Sequence, residues 1–180
     1  MSEKLRLYSV TDDYVAYLFK FDKHVLSNKE DKRTFERKYL GTVLLVGCIK
    51  YFVPLASPKD NDYMIDKDGI TQIRKSIIPI MRMTYKDADE VRLLGKLKFS
   101  SMIPVLDSEL LAYNIQEEPD IWYRDLLYNQ WDFIRANKDA IFKSANVIYK
   151  QKTNNVDNIG YLNSTVNFKL LEEKMKEYKK

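Results

Sequence analysis

Two side chains that dominate enzyme chemistry are almost missing from this sequence. It has one histidine, His24, and one cysteine, Cys48. A lone histidine excludes paired-histidine catalysis and histidine zinc clusters. A lone cysteine excludes an internal disulfide and a cysteine-rich metal site. Glycine and proline are scarce, five of each, so the chain is neither collagen-like nor a string of linkers. No apolar run approaches the ~18 residues that a membrane span needs. The start, Met1-Ser2-Glu3-Lys4-Leu5-Arg6, lacks the apolar core of a secretion signal, which predicts a cytoplasmic protein. No glycine-rich stretch has P-loop or dinucleotide spacing. There is no internal repeat and no low-complexity tract.

What is present is an ordinary globular composition with one oddity. The 180 residues are 45% hydrophobic and 31% charged, which predicts one domain, 1–180, with a real core. Lys and Arg number 30 against 26 Asp and Glu, a net charge of +4. That hints at an acidic partner but is too small, as a total, to mark a nucleic-acid footprint. The oddity is 13 tyrosines. Tyrosine has an apolar body and a polar tip, and it suits cores and wet interfaces alike.

Periodicity divides the chain into a sheet-forming part and a helical part. Leu5 to Val10 alternates as a strand does. Thr11-Asp12-Asp13 offers a helix start with acids in the first turn, and the helix ends near Phe21. Residues 23–37 are charged and non-periodic, a loop. Tyr39 to Val46 and Ile49 to Leu55 read as strands meeting at Gly47-Cys48. A polar loop from Ala56 to Asp62 follows, stiffened by Pro58. Ser76 to Met81, Val91 to Phe99 and Met102 to Val105 are further strand candidates. Short connections between such strands predict a small, strongly bent sheet or barrel. Beyond Glu117-Glu118-Pro119-Asp120 the pattern is helical: Tyr123, Leu127, Gln130 and Ile134, then Ile141, Ala145, Ile148 and Tyr149, then Phe168, Leu171 and Met175 in a last helix from about Thr165 to Tyr178. The expected class is α+β, a compact antiparallel sheet with flanking and C-terminal helices.

Elimination leaves one loop for chemistry. His24 reads as a surface residue at a helix C-terminus. Asp12-Asp13, Glu117-Glu118 and Glu172-Glu173 read as helix-dipole partners or solvated faces. Ser57 and Lys59 lie two residues apart, so an extended chain points hydroxyl and ammonium to the same side. Such a pair grips a phosphate. One unit charge acting on another at ~4 Å and an effective dielectric of 20 is worth about 4 kcal/mol, about a thousandfold in rate if felt in the transition state. Arg37, Lys38 and Tyr39 precede the first hairpin strand. A regular register about residues 47 and 48 places position 37 opposite a position near 58. Arg37 and Lys38 are thus expected near Ser57 and Lys59, with Arg33 in the same cluster and Tyr39, Tyr51 and Tyr63 near the groove. Cations beside an aromatic suit an RNA backbone with a base to stack. On these residues alone a solvated loop, a non-catalytic RNA-binding module and a nuclease all remain open. So does an interaction protein that works through its helical half.

At this point the chain resembles the ToxN/AbiQ/CptN toxins of type III toxin–antitoxin systems. The opening Leu7-Tyr8-Ser9-Val10, with Tyr14, Tyr17-Leu18, Phe21-Asp22 and Val25, is similar to the family's first strand and helix. Arg37-Lys38-Tyr39-Leu40-Gly41 resembles its basic–proline–aromatic–apolar–glycine motif. Tyr51-Phe52-Val53-Pro54-Leu55-Ala56-Ser57-Pro58-Lys59 resembles its hallmark strand ending in Pro-Leu-(Ser/Thr)-Ser-Pro-Lys. Met102-Ile103-Pro104-Val105 and the spacing from Tyr123 to Tyr149 also match.

The resemblance implies a fold related to the small bent-sheet toxins of the MazF/CcdB kind, with added helices. It implies metal-independent RNA cleavage with no cofactor, leaving a 2′,3′-cyclic phosphate and a 5′-hydroxyl. The implied partner is a repeated RNA antitoxin, cut into pseudoknot units that inhibit the toxin in a closed protein–RNA assembly. Cellular or phage RNA is the implied substrate, with no membrane involved, and abortive infection the implied role. Carried over by position, Ser57 and Lys59 match the family's active-site serine and lysine, and Arg37 its basic groove residue. Lys38, Tyr39 and Ala56 fall beside them as RNA-binding positions. Ala56 stands where the family often has a hydroxyl residue, and Lys38 where it often has proline.

Overall fold

A computed structural model describes residues 5–28 and 34–179. Arg33 and most of the charged run before it lie outside the described residues. The strands are β1 Arg6–Val10, β2 Tyr39–Val46, β3 Ile49–Ala56, β4 Tyr63–Ile65, β5 Thr71–Ile73, β6 Ile80–Asp87, β7 Glu90–Lys98, β8 Ile103–Pro104 and β9 Leu110–Ala112. The helices are α1 Asp12–Phe21, α2 Ile121–Ala136, α3 Lys138–Thr153 and α4 Phe168–Glu177. This is the expected α+β arrangement. Among the described residues no helix is long and apolar enough to cross a membrane.

The main sheet is antiparallel throughout, in the order β6-β7-β3-β2-β1-β9. Its bend is made at β3. One edge of β3 pairs first with β8, through Tyr51 and Phe52, and then with β7, through Leu55 and Ala56. Two strands sharing one edge force the sheet to split and turn. The outer strands β6 and β9 do not meet, so a closed barrel is not formed and the sheet stays open. Helix α2 packs against β6 and β7 instead.

One other expectation needed correction, and three short strands had not been expected. The strand expected at Ser76 to Met81 begins only at Ile80 and runs on to Asp87. Pro79 has no N–H for a ladder, whereas the polar stretch Arg82 to Asp87 is recruited by pairing with β7. The β4–β5 hairpin and β9 carry too few alternating residues to stand out in the sequence; β9 exists because β1 pairs with it.

The helices start and end for local reasons. Asp120 caps α2 by accepting from the Tyr123 amide at 2.8 Å, and Asn167 caps α4 by accepting from the Leu170 amide at 3.1 Å. Each helix buries one stripe: Tyr14, Val15 and Leu18 in α1, Leu127, Gln130 and Ile134 in α2, and Ile141, Ala145 and Ile148 in α3. These stripes join Leu40, Phe52, Val53, Leu97 and Phe99 from the sheet in a hydrophobic core.

Tyrosines stitch that core. The buried Tyr14 hydroxyl donates to the Pro104 carbonyl at 2.7 Å. Tyr51 and Tyr149 both donate to Glu172 on α4, at 2.8 and 2.7 Å, and Lys169 reaches the same carboxylate at 3.0 Å. Glu172 is buried, not part of a solvated face as expected. Burial alone raises its pKa, but the bonds from Tyr149, Tyr51 and Lys169 outweigh that and hold it below the usual carboxylate range.

The β2–β3 pairing carries an irregularity between Leu40 and Leu44. Gly41 sits there, so close to the buried Phe52 ring that a Cβ would lie 2.0 Å from Phe52 Cδ1. Replacing Gly41 by Ala is therefore expected to cost about 1–3 kcal/mol through overpacking. A Cβ at Gly160 meets nothing within 4 Å, so Gly160→Ala is expected to unfold like the unaltered protein. Urea unfolding midpoints of the two variants check the contrast.

Candidate active site

The loop that carries Ser57 and Lys59 leaves the end of β3, where β3 pairs with β7. Leu55 pairs with Leu97 and Ala56 with Lys96, and Lys96 in turn pairs with Arg82 on β6. Directly paired residues share a face of the sheet, so Ala56, Lys96 and Arg82 form a row across three strands. Ser57, Pro58 and Lys59 follow Ala56 and are exposed. Lys59 is extended at φ −131° and ψ 164°.

A cavity of about 530 Å³ opens beside this row. Ala56, Ser57, Pro58 and Lys59 line it, together with Arg37, Lys38, Arg82, Lys96 and Lys98. Asp62 is the sole carboxylate among its described lining residues. The weak overall positive charge is thus concentrated in one place.

Like charges directly across a strand pair repel. Lys96 and Arg82 tolerate it because Asp62 lies between them. Its carboxylate is 1% exposed. Oδ1 accepts from Arg82 Nε and Nη2, each at 3.0 Å, and Oδ2 accepts from Lys96 Nζ. Oδ2 also accepts from the Lys59 amide at 2.8 Å, while the Asp62 amide donates to the Lys59 carbonyl at 2.9 Å. The loop that carries Ser57 and Lys59 is thereby tied to β6 and β7. Burial raises the Asp62 pKa, but the Lys96 ammonium, the Lys59 amide and the Arg82 guanidinium prevail and hold it below the usual range.

The expected site residues divide into two groups. Ser57, Lys59, Ala56 and Arg37 meet at the cavity. Arg37 enters it differently from expectation. The β2–β3 irregularity shifts the register, so Tyr39 pairs with Pro54 and the Leu55 amide bonds to the Lys38 carbonyl at 2.9 Å. Arg37 therefore falls opposite Ala56, not a position near 58. Its guanidinium is 1% exposed and donates to the Leu55 carbonyl at 3.0 Å and the Ser27 carbonyl at 3.2 and 3.3 Å. It braces the loop from beneath.

The second group is bonded elsewhere in the protein or lies outside the cavity. Lys38 borders it, but its ammonium binds Glu36 at 3.0 Å and Ser9 at 3.2 Å and lies 4.1 Å from the Tyr113 ring centre. Tyr39 is 1% exposed and its hydroxyl bonds to Asn28 at 3.0 Å. Tyr51 is buried on Glu172. Neither ring lines the cavity, because β2 and β3 are inner strands whose aromatic side chains feed the core. Tyr63 is half-buried and lies outside the lining too. His24 is half exposed beside Asp22, at 3.0 Å, and is no part of the cavity.

Sequence reasoning missed Arg82, Lys96, Lys98 and Asp62. The alternation Lys96-Leu97-Lys98 carried a signal, since it puts two cations on one face of a strand. Nothing local marked Arg82 or Asp62. Phe35 was also missed, and Tyr123 was read only as a helix position; both line the cavity.

A hydroxyl and an ammonium at the mouth of a cation-walled cavity are the groups with which a polyanion is held. Comparison with known proteins gives the chain its family. Residues 6–176 match the family model for toxin ToxN of the type III toxin–antitoxin system. The chain is 27% identical to the endoribonuclease ToxN of Pectobacterium atrosepticum, over 98% of this chain and 95% of that one. It is 30% identical to the endoribonuclease AbiQ of Lactococcus lactis subsp. lactis, over 98% of this chain and 90% of that one. Two solved structures share the fold. One concerns a processed non-coding RNA that regulates a bacterial antiviral system; it superposes with a TM-score of 0.81 at 26% identity, covering 97% of this chain and 99% of that one. The other concerns selective toxin inhibition by a non-coding RNA pseudoknot, with a TM-score of 0.78 at 26% identity, covering 98% of each chain. The chain belongs to the ToxN family of type III toxin–antitoxin toxins.

Removing the Asp62 charge leaves two buried cations face to face. Asp62→Asn is expected to destabilise the fold by about 3 kcal/mol. The carboxyl's pKa is depressed on folding from an unfolded value of about 3.9. Its contribution is complete above that value and fades as pH falls through the folded one. The gap between Asp62→Asn and the unaltered protein should therefore be full at neutral pH and narrow in acid, as read by urea midpoints across pH.

Proposed function

We propose that this chain is a metal-independent endoribonuclease toxin that cleaves RNA by attack of the substrate's own 2′-hydroxyl. The observation that carries the reading is the pairing of Ser57 and Lys59, both exposed, on a loop pinned beside Arg82 and Lys96. The relatives' names as endoribonucleases support it. In this reaction the 2′-hydroxyl loses its proton to solvent water and its oxygen bonds to the adjacent phosphorus, as the bond to the 5′-oxygen breaks and that oxygen takes up a proton. The products are a 2′,3′-cyclic phosphate and a 5′-hydroxyl. The protein need supply no nucleophile of its own. It must hold the reacting atoms in line and stabilise charge on the phosphoryl oxygens.

Ser57 donates a hydrogen bond that positions the phosphate. Lys59 offsets the negative charge gathering in the transition state and gives a proton to the departing 5′-oxygen. Lys96 and Arg82 add positive potential from the cavity wall, partly masked by Asp62. Arg37 acts from beneath, by holding the Leu55 carbonyl that precedes the loop. No histidine takes part, in keeping with the composition.

The partners follow the family. A repeat RNA antitoxin is processed by the toxin into pseudoknot units and closes on it in a protein–RNA assembly, as a structural neighbour's inhibition by an RNA pseudoknot suggests. Released toxin cuts cellular or phage RNA in the cytoplasm, during abortive infection. Residues 1–180 act as one endoribonuclease domain.

Ser57→Ala and Lys59→Ala are expected to slow cleavage of target RNA at least a hundredfold, and Lys59→Ala by about a thousandfold. The assay runs in EDTA, with the 3′ ends of the products tested for cyclic phosphate. Full activity in both variants would remove the assignment. Loss of cleavage in EDTA would remove the metal-free mechanism, and RNA binding without any cut would leave a binding module only.

A further inference from the structure

The cavity has an uncharged part that the cleavage chemistry does not use. It is formed by Leu26, Phe35, Leu126 and Tyr123. The rings of Phe35 and Tyr123 are parallel, 4° between planes and 3.9 Å between centres. This is the one face-to-face stack among the described residues. The other ring pairs are edge-on or tilted, with centres 5.0 to 5.7 Å apart. Phenyl rings prefer those edge-on and offset geometries, because their faces carry like quadrupole charge. Bases stack on aromatic faces, so a base that enters this part of the cavity meets the outer face of the pair and not the closed space between its rings.

We propose that the Phe35–Tyr123 stack is a nucleobase subsite, which takes the base of a nucleotide flanking the scissile phosphate. The inference rests on the endoribonuclease reading and adds the part of the cavity that reads the substrate. Both rings are half-buried and both line the cavity that Ser57 and Lys59 border. Each is held by its neighbours. Asp120 bonds to the Tyr123 amide at 2.8 Å and fixes the first turn of α2. Phe35 stands two residues before Arg37, whose guanidinium is bonded to the Leu55 carbonyl at 3.0 Å. Two residues span at most about 7 Å, so the stack and the phosphate-gripping loop are joined by a short, anchored link. One nucleotide bridges such a distance between its base and its phosphate.

The structural alternative is that the stack only clips the chain before β2 to α2. The two differ in what a missing base does. A target RNA with a mapped cleavage site is prepared with each nucleotide flanking the cut replaced in turn by an abasic ribonucleotide, which keeps phosphate and 2′-hydroxyl. Initial cleavage rates are measured with the unaltered protein and with Tyr123→Leu and Phe35→Leu, and urea midpoints are recorded for all three. With the unaltered protein, one abasic position is expected to lower kcat/KM by roughly tenfold to a hundredfold, the range of base–aromatic stacking. Tyr123→Leu is expected to lower cleavage of intact RNA by a similar factor and to cut the abasic and intact RNA about equally. If the unaltered protein cuts intact and abasic RNA equally at every flanking position, the subsite is overturned while the nuclease reading stands. If the leucine variants fold and cut intact RNA at the unaltered rate, the subsite is again overturned. Should the leucine variants fail to fold, the abasic series on the unaltered protein decides by itself. Absence of any Ser57-dependent cleavage would overturn both readings.

Discussion

A buried aspartate makes this cavity possible. Ala56, Lys96 and Arg82 stand in one row across β3, β7 and β6, so two cations face each other with little water between them. Repulsion at that spacing would push the strands apart at the end where the loop leaves the sheet. Asp62 sits on both cations and on the Lys59 amide at once. One carboxylate thus neutralises the strand pair and sets the position of the lysine that follows Ser57. The arrangement has a functional reason as well. Two cations against one carboxylate leave the wall net positive.

The helical half answers a different need. Helices α3 and α4 pack on β2 and β8 and join β3 through a second buried carboxylate. Glu172 takes hydroxyl donors from Tyr51 on β3 and Tyr149 on α3 and an ammonium from Lys169. A buried charge costs several kcal/mol unless it is bonded on all sides, and tyrosine is the side chain that reaches a buried carboxylate while remaining mostly apolar. The tyrosine-rich composition is therefore largely structural. Tyr14, Tyr39 and Tyr51 are fully buried, each with its hydroxyl committed.

These two anchors divide the molecule into a fixed frame and a working edge. The frame is the core beneath β1, β2 and β3 with α1, α3 and α4. The edge is the cavity between the end of the sheet and α2. RNA is a polymer of repeated charge with a flat base at every step, and the edge offers both features in one concavity: ammonium and guanidinium groups on the sheet side, paired aromatic rings toward the start of α2. Small net charge is compatible with this, because only the local field matters at contact distance.

Much of this was legible in the residues alone. The hairpin strands, the helix stripes, the α+β class and the Ser57–Lys59 loop follow from periods of 2 and 3.6 and from the backbone limits of Pro58, all of which are local. The scarcity of histidine and cysteine likewise narrowed the chemistry without any coordinates. What the chain could not state locally was which residues meet. The irregularity at Gly41 moved Arg37 from a position near 58 to one opposite Ala56, and a shift of register changes every contact downstream. Tyr39 and Tyr51 went inward because β2 and β3 became inner strands. Arg82 and Asp62 acquired their roles only when β6 and β7 came beside β3, since an ion pair depends on distance in space and not on separation along the chain. The sequence alone determined the kinds of groups available and the elements that carry them; the tertiary structure decided which charges are paired, which face the cavity and which rings flank it, because those outcomes depend on strand order and register that no short stretch of the chain encodes.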